Sequence, residues 1–167
     1  ITINLSGDSL IDDGLYDYII SLTDKHGISL INVCFEINET VAISNLVKAT
    51  ALINALKKHD CRFSLGDFGS GLRSFAYLKT LPVDYIKIDG DFIKDVSTDP
   101  VNRAMVDSIQ QMASAMKLDT IAECVENEQT LNILKEIGID YAQGYHLGRP
   151  QAIREGGREQ LAVSSKQ

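Results

Sequence analysis

Side chains that can bind a metal ion or move a proton recur along this chain just after short apolar runs. They are carboxylates, amides and one lysine: Asn4, Glu36, Asp67, Lys87, Asp89, Glu123, Glu126 and Gln143. Carboxylate and amide oxygens suit Mg²⁺ or Mn²⁺ better than zinc. Two such ions about 4 Å apart can polarise a phosphodiester and generate hydroxide from a bound water at neutral pH. A nearby lysine could stabilise the developing negative charge.

A structural interpretation of the same residues stays open. Carboxylates and lysines at strand ends often form ion pairs or cap turns, and for any one residue alone this is the better interpretation. The recurrence of the set after successive strands favours function, because barrel enzymes place their active sites at the carboxyl ends of their strands. The glycine-rich run 67–71 could let the backbone approach a phosphate, or it could be a plain turn.

Short β-rich runs alternate with longer runs of helical periodicity. Strands are predicted near residues 1–5, 31–37, 62–67, 84–89, 119–125 and 140–144. One helix is predicted to begin with Asp99 as its N-cap and Pro100 at its first position. Its apolar residues are expected on one buried face: Val101, Met105, Ile109, Met112 and Met116. Asn127 is predicted to cap the next helix, which Gly138 should end.

The alternation of strands and helices implies parallel strands with right-handed crossovers, in either a doubly wound sheet or a barrel. Polar residues occupy alternate strand positions, as Thr2 and Asn4 do early in the chain and Lys87 and Asp89 do later. One polar sheet face favours the barrel, so the predicted fold is an α/β, TIM-like (β/α)8 barrel. A complete barrel has eight units and about 250 residues, so this chain is expected to lack the first units.

The bulk composition fits one globular domain and disfavours several other classes. The chain has 167 residues, 44% of them hydrophobic, a formal charge of -7 and no tryptophan. Polymeric nucleic acid is therefore not an expected partner. Three widely spaced cysteines indicate neither a disulfide framework nor a zinc site, which fits a reducing cytoplasmic compartment. No apolar run is long enough to span a bilayer, although a parent protein could be anchored by another segment.

Blocks of sequence resemble the EAL domain family in their order and spacing. They are INLS at 3–6, FEINET at 35–40, GDFGSG at 66–71, LPVDYIKIDG at 81–90, AECVEN at 122–127 and QGYHLGRP at 143–150. The resemblance covers residues 1–153, corresponding to the later two-thirds of that domain. Residues 154–167 are expected to form a C-terminal tail with room for one short helix. The tripeptide that names the family is absent and is expected upstream.

The resemblance implies a modified barrel with a two-metal site for Mg²⁺ or Mn²⁺ that hydrolyses the bacterial second messenger cyclic di-GMP to linear pGpG. It assigns metal ligands and catalytic residues: Asn4, Glu36 and Asp67 for the metals; Glu123, Lys87 and Gln143 for catalysis, with Lys87 orienting the attacking water. It assigns supporting and substrate-binding residues: Glu39, which anchors the loop at 68–74, Asp89 and Glu126; and Gly144, Tyr145, Arg149 and Pro150. It further implies homodimers through another EAL copy and an upstream GGDEF or sensory domain in a parent protein.

The chain departs from the family pattern at a central position. The family usually has paired aspartates before its glycine-rich loop, whereas this chain has Gly66 and Asp67. The missing aspartate is the one that bridges both metals, so we expect impaired hydrolysis here. Cys124 stands where the family often has glycine, and Leu72 with Arg73 replaces an aromatic-polar pair; both are milder departures.

Alternative functions follow from the same residues. A non-catalytic receptor would keep the pocket for guanine and phosphate while losing water activation. A regulatory or dimerisation module would act only by pairing with a partner. An unrelated metal-dependent barrel, enolase-like or aldolase-like, would have to match all the blocks by accident. An incomplete barrel also exposes strand edges, so we expect this chain to be poorly stable alone.

Overall fold

The computed structural model describes residues 1–70 and 75–151. The strands in these ranges are β1 (Thr2–Leu5), β2 (Cys34–Asn38), β3 (Arg62–Phe68), β4 (Tyr85–Ile88), β5 (Asp119–Ala122) and β6 (Tyr141–Ala142). The α-helices are α1 (Gly7–Ile11), α2 (Leu15–His26), α3 (Glu39–Ser44), α4 (Leu46–Leu56), α5 (Gly90–Lys94), α6 (Pro100–Ala115) and α7 (Glu128–Ile137). The predicted tail 154–167 lies outside the described residues.

The order of the strands decides between the two predicted architectures. Within the sheet the described strands follow chain order from β1 to β6 without a reversal. A doubly wound sheet reverses its strand order at a switch point, so that alternative is wrong. Sequential order with intervening helices is the arrangement of a (β/α) barrel, and the predicted α/β fold class is confirmed.

Each predicted strand overlaps an observed strand, although several observed strands are shorter than expected. The start of the run 31–37 is a short 3₁₀ helix, Leu30–Asn32, because the Ser29 side chain accepts a hydrogen bond from the Ile31 amide. The run 119–125 leaves the sheet after Ala122, and Cys124 has a left-handed backbone with φ of 55°. A left-handed residue cannot continue an extended strand, so apolar composition alone overestimates the strand length.

The first compact unit, Ile1–Ile86, is built on three parallel strands. Its core face carries Phe35, Ile37, Phe63 and Leu65, all essentially inaccessible to solvent. The alternate positions are polar, and the strand register places Glu36 directly between Asn4 and Ser64 on neighbouring strands. Successive side chains of a strand point to opposite faces. The predicted polar face is therefore confirmed in this unit.

In both units, an aspartate that directly precedes one strand accepts a hydrogen bond from a main-chain amide near the start of the previous strand. In the first unit, Asp84 accepts a hydrogen bond from the Phe63 amide at 2.8 Å and pairs with the Lys57 ammonium at 2.7 Å. In the second unit, Asp140 accepts hydrogen bonds from the Thr120 amide and hydroxyl, both at 2.9 Å. These carboxylates satisfy main-chain donors and so help to set the strand register.

The second compact unit begins at Lys87 and contains the parallel pair β5 and β6. The predicted start of α6 is confirmed, because the Asp99 side chain accepts from the Val101 amide at 2.8 Å and Pro100 follows it. The prediction for α7 is also confirmed: Asn127 caps its first turn, and Gly138 ends it with a left-handed φ of 90°.

The prediction of which face of α6 is buried is wrong. Of the five predicted residues, only Ile109 is buried, whereas Val101 is 63% exposed and Met105 is 39% exposed. The buried stripe is Val106, Ile109 and Ala113, a rotation of roughly 70° about the helix axis. The neighbours of α6 are α5, β5 and α7, and Val106 and Ala113 of the buried stripe are inaccessible to solvent. Apolar size alone therefore pointed to the wrong stripe.

Two further sequence expectations concern the cysteines and the membrane. None of the three cysteines is in a disulfide. Burial raises the pKa of the Cys61 thiol to about 11, so it stays protonated at neutral pH. Within the part of the chain that the structure describes, no helix has the length and apolar character needed to cross a bilayer.

We predict that Asp84→Ala lowers the free energy of unfolding by about 2 kcal/mol. The substitution removes the acceptor of the Phe63 amide and the partner of Lys57, and a bond to a charged group contributes about 1.5–3 kcal/mol. Urea denaturation followed by circular dichroism measures the change. Asp24→Ala on the exposed side of α2 is the matched control and should stay within about 0.5 kcal/mol. Equal values for the two variants would contradict the role assigned to Asp84.

Candidate functional site

A cavity lies at the carboxyl ends of β1, β2 and β3 in the first unit. It has a volume of about 580 Å³ and is lined by Asn4, Leu5, Ser6, Glu36, Asn38, Thr40, Val41, Gly66 and Asp67. All three predicted metal ligands, Asn4, Glu36 and Asp67, are among these residues. The strand register brings Asn4 and Glu36 together, because they are paired directly across β1 and β2.

Asp67 is held by a residue that the sequence analysis did not single out. The side-chain amide of Asn38 donates a hydrogen bond to the Asp67 carboxylate. The other end of the Asn38 amide accepts from the Thr40 main-chain amide at 2.8 Å and so caps α3. Asn38 therefore links the start of a helix to a candidate metal ligand. The signal for it was an N-capping residue type directly before a predicted helix.

Gly66 lies beside the Glu36 carboxylate. A Cβ atom placed on Gly66 would lie 2.9 Å from Glu36 Oε1 and 3.4 Å from its Cγ. Any side chain at this position would require the end of Glu36 to move by rotation, which a flexible glutamate can do. In this chain the space that the family gives to a first aspartate is thus partly taken by Glu36.

The cavity residues include side chains of the kind that Mg²⁺ or Mn²⁺ binds. Asn4, Glu36 and Asp67 offer oxygen donors, and these ions take about six oxygen ligands. These three side chains would therefore supply only part of such a coordination shell. Among residues 1–70 and 75–151, no group of three or more histidines, cysteines, aspartates and glutamates is arranged to hold a metal ion.

Glu39 contacts the glycine-rich turn as expected of an anchor. It is 1% exposed, and its Oε2 accepts from the Gly69 amide at 2.9 Å. Its Oε1 accepts from the Tyr77 hydroxyl, a contact that sequence reasoning missed. Because the Gly69 amide points at this carboxylate, it does not provide the phosphate cradle considered for the run 67–71. Residues 71–74 of the predicted anchored loop, including Leu72 and Arg73, lie outside the described residues.

Lys87 and Glu123 form an ion pair in the second unit. Lys87 Nζ lies 2.6 Å from Glu123 Oε1, and the two side chains are 9% and 19% exposed. Lys87 is in β4, and Glu123 follows the end of β5. The contact places the Lys87 ammonium group directly against the Glu123 carboxylate.

The two predicted supporting acids differ in their surroundings. Asp89 accepts a hydrogen bond from the Asp91 amide at 2.9 Å and is the N-cap of α5. Glu126 is exposed to solvent. Asp89 therefore has a structural role as the N-cap of α5, which agrees with the structural interpretation of single acidic residues at strand ends.

Gln143 and the segment after it are fixed by main-chain contacts with Val125. The Gln143 carbonyl accepts from the Val125 amide at 3.0 Å, and the Val125 carbonyl accepts from the His146 amide at 3.0 Å. A Cβ atom on Gly144 would lie 2.2 Å from both the nitrogen and the oxygen of Val125. Only glycine fits at this position, because the obstacle is backbone rather than a movable side chain.

The remaining predicted substrate-binding residues are on the surface of the same segment. Tyr145, Arg149 and Pro150 are exposed, as is the Gln143 residue. The Arg149 guanidinium carbon lies 5.1 Å from the centre of the Tyr145 ring. Such a cation-aromatic pair offers a flat, positively charged face of the kind that a nucleotide base and its phosphate can contact.

Cys124 explains why glycine is common at its position in the resembled family. Its φ of 55° is in the left-handed region, which costs a residue with a Cβ roughly 1–2 kcal/mol. The Cys124 sulfur also lies close to Gly90, where an added Cβ would be only 2.6 Å away. Gly90 therefore leaves the space that the Cys124 side chain occupies, and the cost of the departure from glycine lies in the left-handed backbone.

Comparisons with known proteins identify one family. The model of the EAL domain matches residues 1–150. The cyclic di-GMP phosphodiesterase PdeB of Shewanella oneidensis is 46% identical over 153 residues, which cover 92% of this chain and 18% of that protein. The cyclic di-GMP phosphodiesterase PdeA of Borreliella burgdorferi is 36% identical over 152 residues, covering 91% of this chain and 23% of that protein.

Solved structures agree with this family at the level of the fold. The structure described as PaMucR phosphodiesterase in a cyclic di-GMP complex matches with a TM-score of 0.85 and 31% identity, covering 90% of this chain and 61% of that chain. The present chain therefore spans about a fifth of the length of the curated relatives and about three-fifths of this solved domain.

We predict that Gly144→Ala disrupts residues 143–148 and destabilises the second unit by more than about 2 kcal/mol. The new methyl group would overlap the Val125 backbone and break the hydrogen bonds made there. The thermal unfolding midpoint and the amide signals of Val125 and His146 measure the effect. Gly148→Ala is the matched control, because a Cβ there meets nothing within 4 Å. Wild-type behaviour of Gly144→Ala would show that the close approach is not obligatory.

Proposed function

Because the chain belongs to the EAL domain family, we propose that it binds cyclic di-GMP and that its metal-dependent hydrolysis of this ligand to linear pGpG is impaired. The cavity at the ends of β1, β2 and β3 carries this proposal, since it gathers Asn4, Glu36 and Asp67 within one space of about 580 Å³. Further support comes from relatives named as cyclic di-GMP phosphodiesterases and from a related domain in complex with cyclic di-GMP. The family implies dependence on a divalent cation, and Mg²⁺ or Mn²⁺ is the proposed species.

The proposed impairment rests on the charge of the cavity. With Gly66, the cavity has two carboxylates from Glu36 and Asp67 and the neutral amides of Asn4 and Asn38. Each missing oxygen ligand weakens the hold on a hard divalent ion, since such ions are bound through carboxylate charge and a full coordination shell. Metal ions, when bound in such a site, polarise the phosphodiester and activate water.

Lys87 and Glu123 supply the proposed proton chemistry. A water that attacks a phosphodiester must lose a proton, and the Glu123 carboxylate is a suitable acceptor. The Lys87 ammonium at 2.6 Å holds this carboxylate in place. We assign Gln143 and the exposed face of Tyr145 and Arg149 to ligand binding, on the basis of their side-chain types and their shared segment.

A non-catalytic receptor is the second candidate, and one contact favours it. The Asn38 amide binds the Asp67 carboxylate directly and so gives that carboxylate a partner without a metal ion. A site whose ligands are already held by protein groups can bind a dinucleotide without a cation. In this form the domain would report cyclic di-GMP to a longer protein rather than degrade it.

We predict that Gly66→Asp raises the rate of pGpG formation by about tenfold or more in Mn²⁺ or Mg²⁺. The new carboxylate adds a metal ligand after the Glu36 side chain moves aside, and one tenfold step needs only about 1.4 kcal/mol of transition-state stabilisation. Product is measured by chromatography, with and without EDTA. Gly66→Asn is the matched control, because it adds the same volume without the charge. If Gly66→Asp binds cyclic di-GMP but forms no more pGpG than Gly66→Asn, the proposed cause of impairment is wrong.

Glu36→Gln distinguishes the two candidates by the sign of its effect on cyclic di-GMP affinity. If a cation neutralises the phosphates, loss of a carboxylate ligand weakens binding measured in Mn²⁺ by roughly tenfold. If binding needs no cation, removal of a negative charge beside a phosphate strengthens binding measured in EDTA. Isothermal titration calorimetry gives both values. An isotherm that stays flat up to millimolar cyclic di-GMP in both solutions would refute both candidates.

A further inference from the structure

The Glu39 carboxylate is buried and therefore depends on its hydrogen-bond donors. It is 1% exposed, and a buried carboxylate without donors is strongly unfavourable. Its two oxygens have separate donors: the Gly69 amide for Oε2 and the Tyr77 hydroxyl for Oε1. The orientation of the carboxylate toward Gly69 is thus set in part by Tyr77.

The backbone that carries the Tyr77 side chain is fixed by hydrogen bonds. Its carbonyl accepts from the Thr80 amide at 2.9 Å, from the Thr80 hydroxyl at 2.7 Å and from the Leu81 amide at 3.2 Å. The next residue, Leu78, is 2% exposed. The backbone of Tyr77 is therefore held by the end of the 3₁₀ helix Phe75–Lys79 and by the core. A phenylalanine at position 77 would keep this packing and remove only the hydroxyl.

The Gly69 amide controls the turn that carries Asp67. Gly69 follows Asp67 by two residues, and the Asp67 carbonyl accepts from the Ser70 hydroxyl at 2.9 Å and the Ser70 amide at 3.4 Å. Asp67 itself has a left-handed φ of 53°, a conformation that needs support from its surroundings. When Glu39 holds Gly69, it holds this turn closed, with the Asp67 carboxylate in the cavity.

We propose that Tyr77 is a positioning residue that acts through Glu39 and Gly69 to hold Asp67 at the cavity. The proposal rests on the proposed function, in which Asp67 serves the cyclic di-GMP site. This role differs from ligand contact and from core packing, because the Tyr77 hydroxyl turns the buried Glu39 carboxylate toward the Gly69 amide. Burial and, secondarily, the hydrogen bond to Glu39 raise the pKa of Tyr77, so the hydroxyl remains a donor throughout the neutral range.

The test compares Tyr77→Phe with Tyr18→Phe in the ¹⁵N-labelled chain. Tyr18 is 62% exposed on α2, so its variant makes the same chemical change away from the turn. For Tyr77→Phe we expect a shift of the Gly69 amide proton and exchange of that proton roughly tenfold faster, the loss expected when a charged acceptor loses one of its donors. The Mn²⁺ concentration that half-broadens the Asp67 and Gly69 signals should rise roughly tenfold. Glu39→Gln should change the same signals in the same direction.

Two outcomes would overturn the proposal. In the first, the Gly69 amide keeps its shift and exchange rate in Tyr77→Phe while Glu39→Gln changes them, so Glu39 holds the turn without Tyr77. In the second, all core amides of Tyr77→Phe exchange faster by the same factor, so the hydroxyl only contributes to global stability. These readouts need no cyclic di-GMP. A chain that binds no cyclic di-GMP in any variant would therefore refute the proposed function, while the Gly69 signals still decide the role of Tyr77.

Discussion

The parallel register of the first three strands is the constraint on which the candidate site depends. Because side chains alternate between the two faces of a strand, pairing Asn4 with Glu36 and Asn38 with Gly66 brings polar groups to one face and leaves Phe35 and Ile37 to the core. A shift of one residue would bury Glu36 and expose its apolar neighbours. The free energy of core burial therefore also enforces the position of the side chains that we propose as metal ligands. Asp84 also fixes β3 near its amino end, through its hydrogen bond to the Phe63 amide.

The carboxylates of the cavity and their partners determine which groups the cavity can bind. Carboxylates that face one another repel unless a cation or a donor lies between them. In this chain the Asn38 amide contacts Asp67, and the Glu36 carboxylate occupies part of the space beside Gly66. Under the proposed function, the absence of a carboxylate at position 66 reduces the number of ligands that a divalent ion would find.

Much of the fold and the site could be predicted from local sequence. The strands follow from short β-rich runs, and the helix starts at Asp99 and Asn127 follow from capping chemistry that acts within a few residues. The resemblance to the EAL family identified Asn4, Glu36 and Asp67, which the cavity brings together. These features depend on local spacing and on the pairing of neighbouring strands.

Other features could not be predicted because they depend on packing between distant segments. The buried face of α6 is the one with Val106, Ile109 and Ala113, and the choice of large apolar residues misidentified it. The Tyr77 contact joins residues 38 positions apart, and no local pattern marks it. The length of the strand ending at Ala122 depends on the left-handed backbone of Cys124, a residue type that rarely adopts that conformation.

The contact between Gly144 and Val125 joins two backbones without any side chain between them. Together with the hydrogen bonds from the Val125 amide to the Gln143 carbonyl and from the His146 amide to the Val125 carbonyl, it ties residues 143–146 to Val125. Glu123 lies two residues before Val125 on the same chain. Under the proposed function, the segment assigned to ligand binding and the carboxylate assigned to proton transfer are therefore joined through these main-chain contacts.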